Sequence, residues 1–175
     1  MVIVPKKVFL TAGVGKHPTK LGSFERALRD AKIYPYNLVP VSSIIPPEAE
    51  IISREEGLKY LVPGQILFVV MSRISSDEVG RHIVAAIGGA KEKGKRLHGY
   101  LSEYSVFDTP VSIAKKTAEY LSAEMLITIR GGESWHPESE GPNLDHLDVF
   151  SIAAEAEVKE GDGWVTAIAA AVLLY

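Results

Sequence analysis

The stretch QILFVVMSRI, residues 65–74, is a long apolar run rich in β-branched side chains. Such a run predicts a strand covered on both faces, in the middle of a sheet. Towards the C-terminus, residues 81–87 and 98–104 predict two further strands, separated by a loop that contains the basic run KEKGKR at 91–96. The last segment, residues 164–174, is almost wholly apolar and predicts another strand. These segments predict a protein built around β-sheet.

Two helices are predicted from apolar residues at helical spacing. Residues 21–32 carry such a stripe after a glycine- and lysine-rich loop at 12–20, and residues 114–125 carry a second one. Thr109 offers an N-cap for the second helix, with Pro110 in its first turn. The spacing of the first segment is typical of a short amphipathic helix.

Shorter strands are predicted at residues 7–11, 36–41 and 151–158, and a long loop at 131–148. Strands outnumber helices, and they do not alternate with helices as in a regular βαβ protein. This order is typical of an α+β layered sandwich. A chain of 175 residues with 46% hydrophobic side chains can bury one core, so we expect a single domain, 1–175.

Composition excludes several classes of function. Without cysteine, the chain has no disulfide framework, thiolate metal site or cysteine nucleophile. A net charge of −3 gives no field for nucleic acid, and the basic run at 91–96 is short enough for a solvated turn. No apolar run reaches the roughly 18 to 20 residues that span a bilayer. The N-terminus lacks the layout of a signal peptide, so we expect a cytoplasmic protein.

Asparagine and glutamine are scarce. The chain contains only Asn37, Asn143 and Gln65. Heat-adapted proteins tend to avoid these thermolabile residues, so a thermophilic source is expected.

The most informative stretch is NLVPVSSIIPPEAE, residues 37–50. A pair of serines alone indicates an ordinary turn, and Ser75–Ser76 is such a pair without these surroundings. Ser42–Ser43 differs because a lone asparagine and a predicted strand precede it and Pro46–Pro47 follows it. This string resembles the processing site of the pyruvoyl-dependent arginine decarboxylase family. The resemblance covers most of the chain and includes LHGYLSEYS at 97–105 and the apolar C-terminal strand.

The resemblance implies self-cleavage between Ser42 and Ser43 into a β chain, 1–42, and an α chain, 43–175. The Ser43 hydroxyl attacks the preceding carbonyl and forms an ester, which backbone strain favours. Asn37 is a neutral donor for the resulting oxyanion. Elimination frees Ser42 as a new C-terminus, and hydrolysis of the dehydroalanine left at 43 releases ammonia and gives a covalent pyruvoyl cofactor.

The implied reaction is decarboxylation of L-arginine to agmatine, a step of polyamine biosynthesis. By the resemblance, Glu103 returns a proton to the α-carbon, which favours a carboxyl whose pKa is raised by a dry site. From the sequence alone, a glutamate on a strand is more often solvated. The same chemistry on another amino acid, such as histidine, is the nearest alternative. A homologue that never matures and serves as a trimeric binding subunit is the alternative from another class.

Substrate recognition is assigned by the resemblance to Glu25 and Leu28 in the first helix. Glu25 pairs with the guanidinium in this interpretation, although aspartate is common at the family position. Glu25 borders the apolar stripe, which favours access to a site. The alternative is a solvent-facing charge beside Arg26 and Arg29.

The resemblance also implies an αββα sandwich and a homotrimer with active sites at subunit interfaces. No metal is required by this chemistry. The long loop does contain nitrogen and oxygen ligand types, but their spacing matches no metal signature. These residues are His136, Asp145, His146 and Asp148. A mobile or partner-contacting loop is the preferred interpretation.

Overall fold

A computed structural model describes residues 3–139 and 141–175 of the chain. It is a single domain of mixed α+β content. The strands are β1 (Lys7–His17), β2 (Asn37–Pro40), β3 (Ile44–Ile45), β4 (Glu50–Ile52), β5 (Ile66–Ser76), β6 (His82–Glu92), β7 (Gly99–Phe107), β8 (Leu147–Glu157) and β9 (Trp164–Leu174). The helices are α1 (Lys20–Asp30), α2 (Arg54–Gly57) and α3 (Val111–Ile129), with a 3₁₀ turn at Leu58–Tyr60.

The strands form two separate sheets. The five-stranded sheet has the order β2-β5-β9-β1-β4, and the four-stranded sheet has the order β3-β7-β6-β8. In the larger sheet, β2 runs parallel to β5 at one edge and β4 runs parallel to β1 at the other, while β9 is antiparallel to both its neighbours. All pairs in the smaller sheet are antiparallel.

Side chains of β9 alternate between two buried surroundings. Ala167, Ala169 and Ala171 belong to a core cluster with residues of the smaller sheet, such as Ile87 and Leu101. The intervening residues of β9 belong to a second cluster that includes α1. Residues on the other face of β6 pack against α3. Both faces of β9 are therefore covered, which explains why its sequence is apolar throughout.

The first strand is longer than its sequence indicates. Residues 12–17, predicted as a loop, continue β1 to His17. Two glycines allow this because α1 lies directly on the strand. A Cβ at Gly13 would stand 2.4 Å from the carbonyl oxygen of Ala27, and one at Gly15 would stand 2.1 Å from that of Ser23. The glycines serve close packing of the helix on the strand, and the loop prediction was wrong.

The start of α3 also differs from its prediction. Pro110, not Thr109, occupies the N-cap position, and it makes no side-chain capping hydrogen bond. The Thr109 hydroxyl instead donates 3.1 Å to the carbonyl oxygen of Phe107. The C-terminal strand has its predicted ends, and the other predicted strands and the first helix are present with shifted ends. No helix in residues 3–139 and 141–175 is long and apolar enough to cross a membrane.

Candidate active site

The Ser42–Ser43 peptide lies where the chain passes from one sheet to the other. The backbone N–H of Val41 donates 3.0 Å to the carbonyl oxygen of Val69 in β5, which belongs to the larger sheet. Two residues later, the carbonyl oxygen of Ser43 accepts 2.8 Å from the N–H of Leu101 in β7, which belongs to the smaller sheet. The bond between the two serines is thus held from both sides by strands of different sheets.

Ser43 is the centre of a three-residue turn. The N–H of Ile44 donates 2.9 Å to the carbonyl oxygen of Ser42, which closes the turn across Ser43. Neither serine has a positive φ, so the expected strain does not take the form of a left-handed residue. The turn has a chemical consequence, because the hydrogen bond polarises the carbonyl that the Ser43 hydroxyl has to attack.

The chain downstream of Ser43 is firmly placed. β3 pairs with β7, with Ile44 opposite Tyr100 and Ile45 opposite Gly99. Pro46 is buried, and its carbonyl oxygen accepts 3.1 Å from the N–H of Ala49. A cleft of about 380 Å³ borders this segment, and its lining is mainly apolar: Ile3, Pro5, Val41, Ser42, Ile44, Pro46, Phe68 and Leu173.

The structure brings Glu103 close to Ser43. Glu103 lies in β7 two residues beyond Leu101, the partner of the Ser43 carbonyl, which is about 7 Å along a strand. Its side chain is exposed in the single chain, and its Oε1 accepts a 3.1 Å hydrogen bond from the backbone N–H of Met71. The Glu103 carboxyl group therefore lies at the edge of β5 that pairs with β2, close to the point where the chain passes from the larger sheet to Ser43.

Asn37 lies away from Ser43 within the same chain. It is the first residue of β2, and its Nδ2 donates 2.7 Å to the carbonyl oxygen of Gly64. Val41 lies four positions further along extended chain, a span of about 13 Å. The Asn37 side chain therefore cannot reach the Ser42 carbonyl of its own chain in this conformation.

Glu25 and Leu28 lie on α1, which covers the outer face of the five-stranded sheet. Leu28 packs at the border of the second core cluster. Glu25 accepts a 2.6 Å hydrogen bond from Nε of Arg29, and the two side chains are 44% and 64% exposed. Ser43 contacts the other sheet, so one chain alone does not bring Glu25 to it. The exposed ion pair agrees with the solvent-facing alternative as far as a single chain is concerned.

A cation of β5 contacts α1 at Phe24. The guanidinium of Arg73, in β5, stacks on the ring of Phe24 at 3.7 Å. Burial lowers the pKa of Arg73 from its ordinary value. Phe24 directly precedes Glu25 in α1, but adjacent helix residues point in different directions, and the Glu25 carboxylate pairs with Arg29 instead.

Three of the groups around Ser43 are backbone amides that sequence reasoning missed. They are the N–H groups of Ile44, Met71 and Leu101. Every residue except proline has such a group, so no residue type marks it. The only available signal was the predicted strand at 98–104, whose pairing partner was unknown.

The histidines and aspartates of the long loop do not form a metal site in the described part of the chain. Within residues 3–139 and 141–175, no three His, Asp or Glu side chains cluster closely enough to hold an ion. Lys93 Nζ instead donates 2.9 Å to the carbonyl oxygen of Asp145, and Asn143 Nδ2 donates 3.1 Å to the carboxylate of Asp145.

Comparison with known proteins covers nearly the whole chain. Residues 7–175 match the family described as pyruvoyl-dependent arginine decarboxylase. The chain is 45% identical over 172 residues to pyruvoyl-dependent arginine decarboxylase 1 of Methanosarcina mazei, covering 98% of this chain and 97% of the relative. It is 47% identical over 176 residues to the pyruvoyl-dependent arginine decarboxylase of Thermoplasma volcanium, with 98% and 97% covered. A probable enzyme of this kind from Chloroherpeton thalassium is 45% identical over 181 residues, with 99% and 100% covered. The chain belongs to the pyruvoyl-dependent arginine decarboxylase family.

Proposed function

We propose that this chain cleaves itself between Ser42 and Ser43 and then decarboxylates L-arginine to agmatine and CO₂. The observation that carries the proposal is the placement of the Ser42–Ser43 peptide, which strands of two different sheets hold at either end. Family membership supports the substrate, because the relatives are named for arginine.

Cleavage uses groups of the chain itself. The Ser43 hydroxyl adds to the Ser42 carbonyl, whose oxygen already accepts a hydrogen bond from the Ile44 N–H. The C–N bond of the peptide breaks and the ester forms. Removal of the Ser43 α-proton then expels the Ser42 carboxylate, and water replaces the nitrogen at position 43 with loss of ammonia. The products are the chains 1–42 and 43–175.

The surroundings of residue 43 fit a pyruvoyl group. The Leu101 N–H fixes the carbonyl oxygen of residue 43, and the residue is half-buried. The cleft lined by its neighbours Ser42 and Ile44 is mainly apolar. A pyruvoyl group supplies an acceptor for the electron pair released when the carboxylate of an amino acid leaves as CO₂. The hydrogen bond from the Leu101 amide does not involve the peptide bond that is cut. It therefore remains after cleavage and keeps residue 43 in place.

Glu103 is the proposed proton donor to the α-carbon of the substrate. Its support is proximity, since residue 103 lies two positions along β7 from Leu101, which holds Ser43, and its carboxyl group contacts the Met71 N–H. Glu25 is the proposed partner of the substrate guanidinium, and Leu28 a wall for the aliphatic part of the substrate. Arg29 already pairs with Glu25, so the guanidinium of the substrate has to displace or share this contact.

We further propose an αββα sandwich that assembles as a homotrimer with active sites between subunits. The core clusters on both faces of the sheets support the layers. The separation of Asn37 and Glu25 from Ser43 within one chain supports the interface. In this arrangement Asn37 of the partner subunit donates to the Ser42 oxyanion, and Glu25 meets a neighbouring site.

The test combines intact mass with product analysis. Purified protein should resolve under denaturing conditions into fragments of 42 and 133 residues, the larger one resistant to Edman degradation. The same preparation should release CO₂ from L-arginine, with histidine and lysine as comparison substrates. A single uncleaved chain after prolonged heating at neutral pH would mean a non-enzymatic subunit, and faster turnover of histidine would change the substrate.

A further inference from the structure

The Glu103 carboxylate occupies a position that belongs to the main chain in an uninterrupted sheet. β2 pairs with β5 in parallel register, from Asn37 opposite Ile66 to Pro40 opposite Val69. The final hydrogen bond of this ladder runs from the Val41 N–H to the Val69 carbonyl oxygen. The next N–H along that edge of β5 is that of Met71, and Glu103 Oε1 accepts it at 3.1 Å.

Parallel pairing has a fixed hydrogen-bond pattern. A residue that donates to one residue of the adjacent strand accepts from the N–H two positions further along that strand. Because Val41 donates to Val69, its carbonyl would accept from Met71 if β2 continued. The side chain of Glu103, from a strand of the other sheet, takes this hydrogen bond in place of the Val41 carbonyl.

The ladder ends at the point where the chain has to turn. Ser42 follows Val41 directly, and within two residues the chain is hydrogen-bonded to β7. A Val41 carbonyl bound to Met71 would keep Ser42 in line with β2 and away from β7. The freed carbonyl lets the peptide plane rotate, so that the three-residue turn at Ser43 can form.

We infer that Glu103 is a positioning residue for self-cleavage, in addition to its proposed role as proton donor. By holding the Met71 N–H, it ends the hydrogen-bond ladder between β2 and β5 at the Val41 N–H and directs the Ser42–Ser43 peptide to the second sheet. The inference rests on the proposed self-cleavage, and it concerns the uncleaved precursor. The positioning role requires an oxygen at position 103 that accepts the Met71 N–H. It does not require an ionisable group at that position.

Two substitutions separate the two roles of Glu103. Glu103→Ala removes the acceptor, so the precursor should cleave about tenfold more slowly or worse, as expected for loss of a positioned hydrogen bond. Glu103→Gln retains an acceptor oxygen and should cleave within about threefold of wild type, because a neutral amide oxygen still accepts a backbone N–H. After cleavage, the glutamine variant should still fail to decarboxylate arginine.

Cleavage is measured on precursor made by cell-free translation, with conversion into chains 1–42 and 43–175 followed by intact mass. Ser105→Ala is the matched control, since Ser105 is an exposed residue of the same strand two positions further on. It should cleave at the wild-type rate. Circular dichroism checks that each precursor is folded.

A structural measurement tests the same inference without any activity. Crystal structures of the Ser43→Ala protein with and without Glu103→Ala compare two uncleaved precursors. The double variant should show the Val41 carbonyl bonded to the Met71 N–H. Equal cleavage rates for wild type and Glu103→Ala would overturn the inference alone, as would a glutamine variant as slow as the alanine variant. Absence of cleavage in wild type would instead overturn the proposed function.

Discussion

The backbone N–H of Leu101 donates a 2.8 Å hydrogen bond to the carbonyl oxygen of Ser43. This contact lies on the downstream side of the peptide bond proposed for cleavage, whereas the contact from Val41 to Val69 lies on the upstream side. Each new chain end therefore keeps a hydrogen bond to a different sheet. The two serines contribute different groups to the proposed cleavage: Ser43 contributes its hydroxyl, and Ser42 contributes its carbonyl.

Ser43→Ala should give one uncleaved chain of 175 residues, because no hydroxyl remains to attack or to be eliminated. Ser42→Ala should still cleave, since Ser42 contributes only its carbonyl, and the hydrogen bond from Ile44 to that carbonyl is retained. Intact mass under denaturing conditions measures both. Cleavage of the Ser43 variant would mean that another group attacks, and failure of the Ser42 variant would indicate a role for its hydroxyl.

Glu25→Gln should lower kcat/KM for arginine by about 10² or more if a neighbouring subunit covers the pair, because removal of one partner leaves a buried cation. Cleavage of the precursor should be unchanged. Citrulline should become a relatively better substrate, and lysine should stay poor because its ammonium lacks the planar fork.

Arg29→Gln is the control for this experiment, because it frees the Glu25 carboxylate from its 2.6 Å contact. Arginine turnover should be preserved in this variant. Steady-state kinetics on the three substrates measures the outcome. A loss below about tenfold in the Glu25 variant is the size expected of an exposed pair, and it would return Glu25 to the solvated face of its helix.

The sequence patterns predicted the strands that are covered on both faces. They predicted a loop where the second half of β1 lies. The run at 65–74 could be interpreted because a strand covered on both faces needs apolar residues at every position. The sequence around Gly13 and Gly15 predicts a loop. These glycines are needed because α1 lies directly on β1, and the local sequence pattern does not show where α1 packs. The Ser42–Ser43 motif could be recognised, but the amide of Leu101 could not, because a backbone donor is selected by strand pairing and not by residue type.

Gly15→Ala should destabilise the fold by about 3 kcal/mol or more, as overpacking does when backbone has to move. The new Cβ would stand 2.1 Å from the Ser23 carbonyl oxygen and 2.3 Å from the Ala27 nitrogen. Gly22→Ala is a matched control in which the obstacle is the His17 imidazole, a side chain that can rotate. Thermal unfolding at equal protein concentration compares them. Equal losses in both variants would contradict close packing of α1 on β1 as the reason for Gly15.

Glu92 should contribute to stability above about pH 4.3, the ordinary pKa of a glutamate carboxyl. Hydrogen bonds from Lys95 and Arg130 lower the pKa of Glu92 in the folded protein. The folded state thus binds the proton less readily than the unfolded state, so this stabilisation is lost as the pH falls through the lower folded-state pKa. Wild type should lose more stability than Glu92→Gln between pH 5 and 3.

Guanidinium denaturation at several pH values measures this difference. Asp108 and Asp162 also have pKa values lowered by hydrogen bonds from Arg81 and Lys16, so the wild-type curve has several contributions. The difference between wild type and variant isolates Glu92. Glu133→Gln, at an exposed loop position, serves as control and should follow wild type. Parallel curves for wild type and Glu92→Gln would contradict the prediction.

The position of β1 inside the larger sheet has a consequence for the life of the mature protein. β1 pairs with β9 along all of Lys7–His17 and with β4 on its other side. After the proposed cleavage, the short chain supplies an interior strand to a sheet whose flanking strands belong to the long chain. The short chain cannot dissociate unless both of these ladders and the ladder between β2 and β5 break. Once unfolded, however, the two chains have to find each other again, so renaturation becomes a second-order process that slows on dilution, whereas the precursor refolds from one chain.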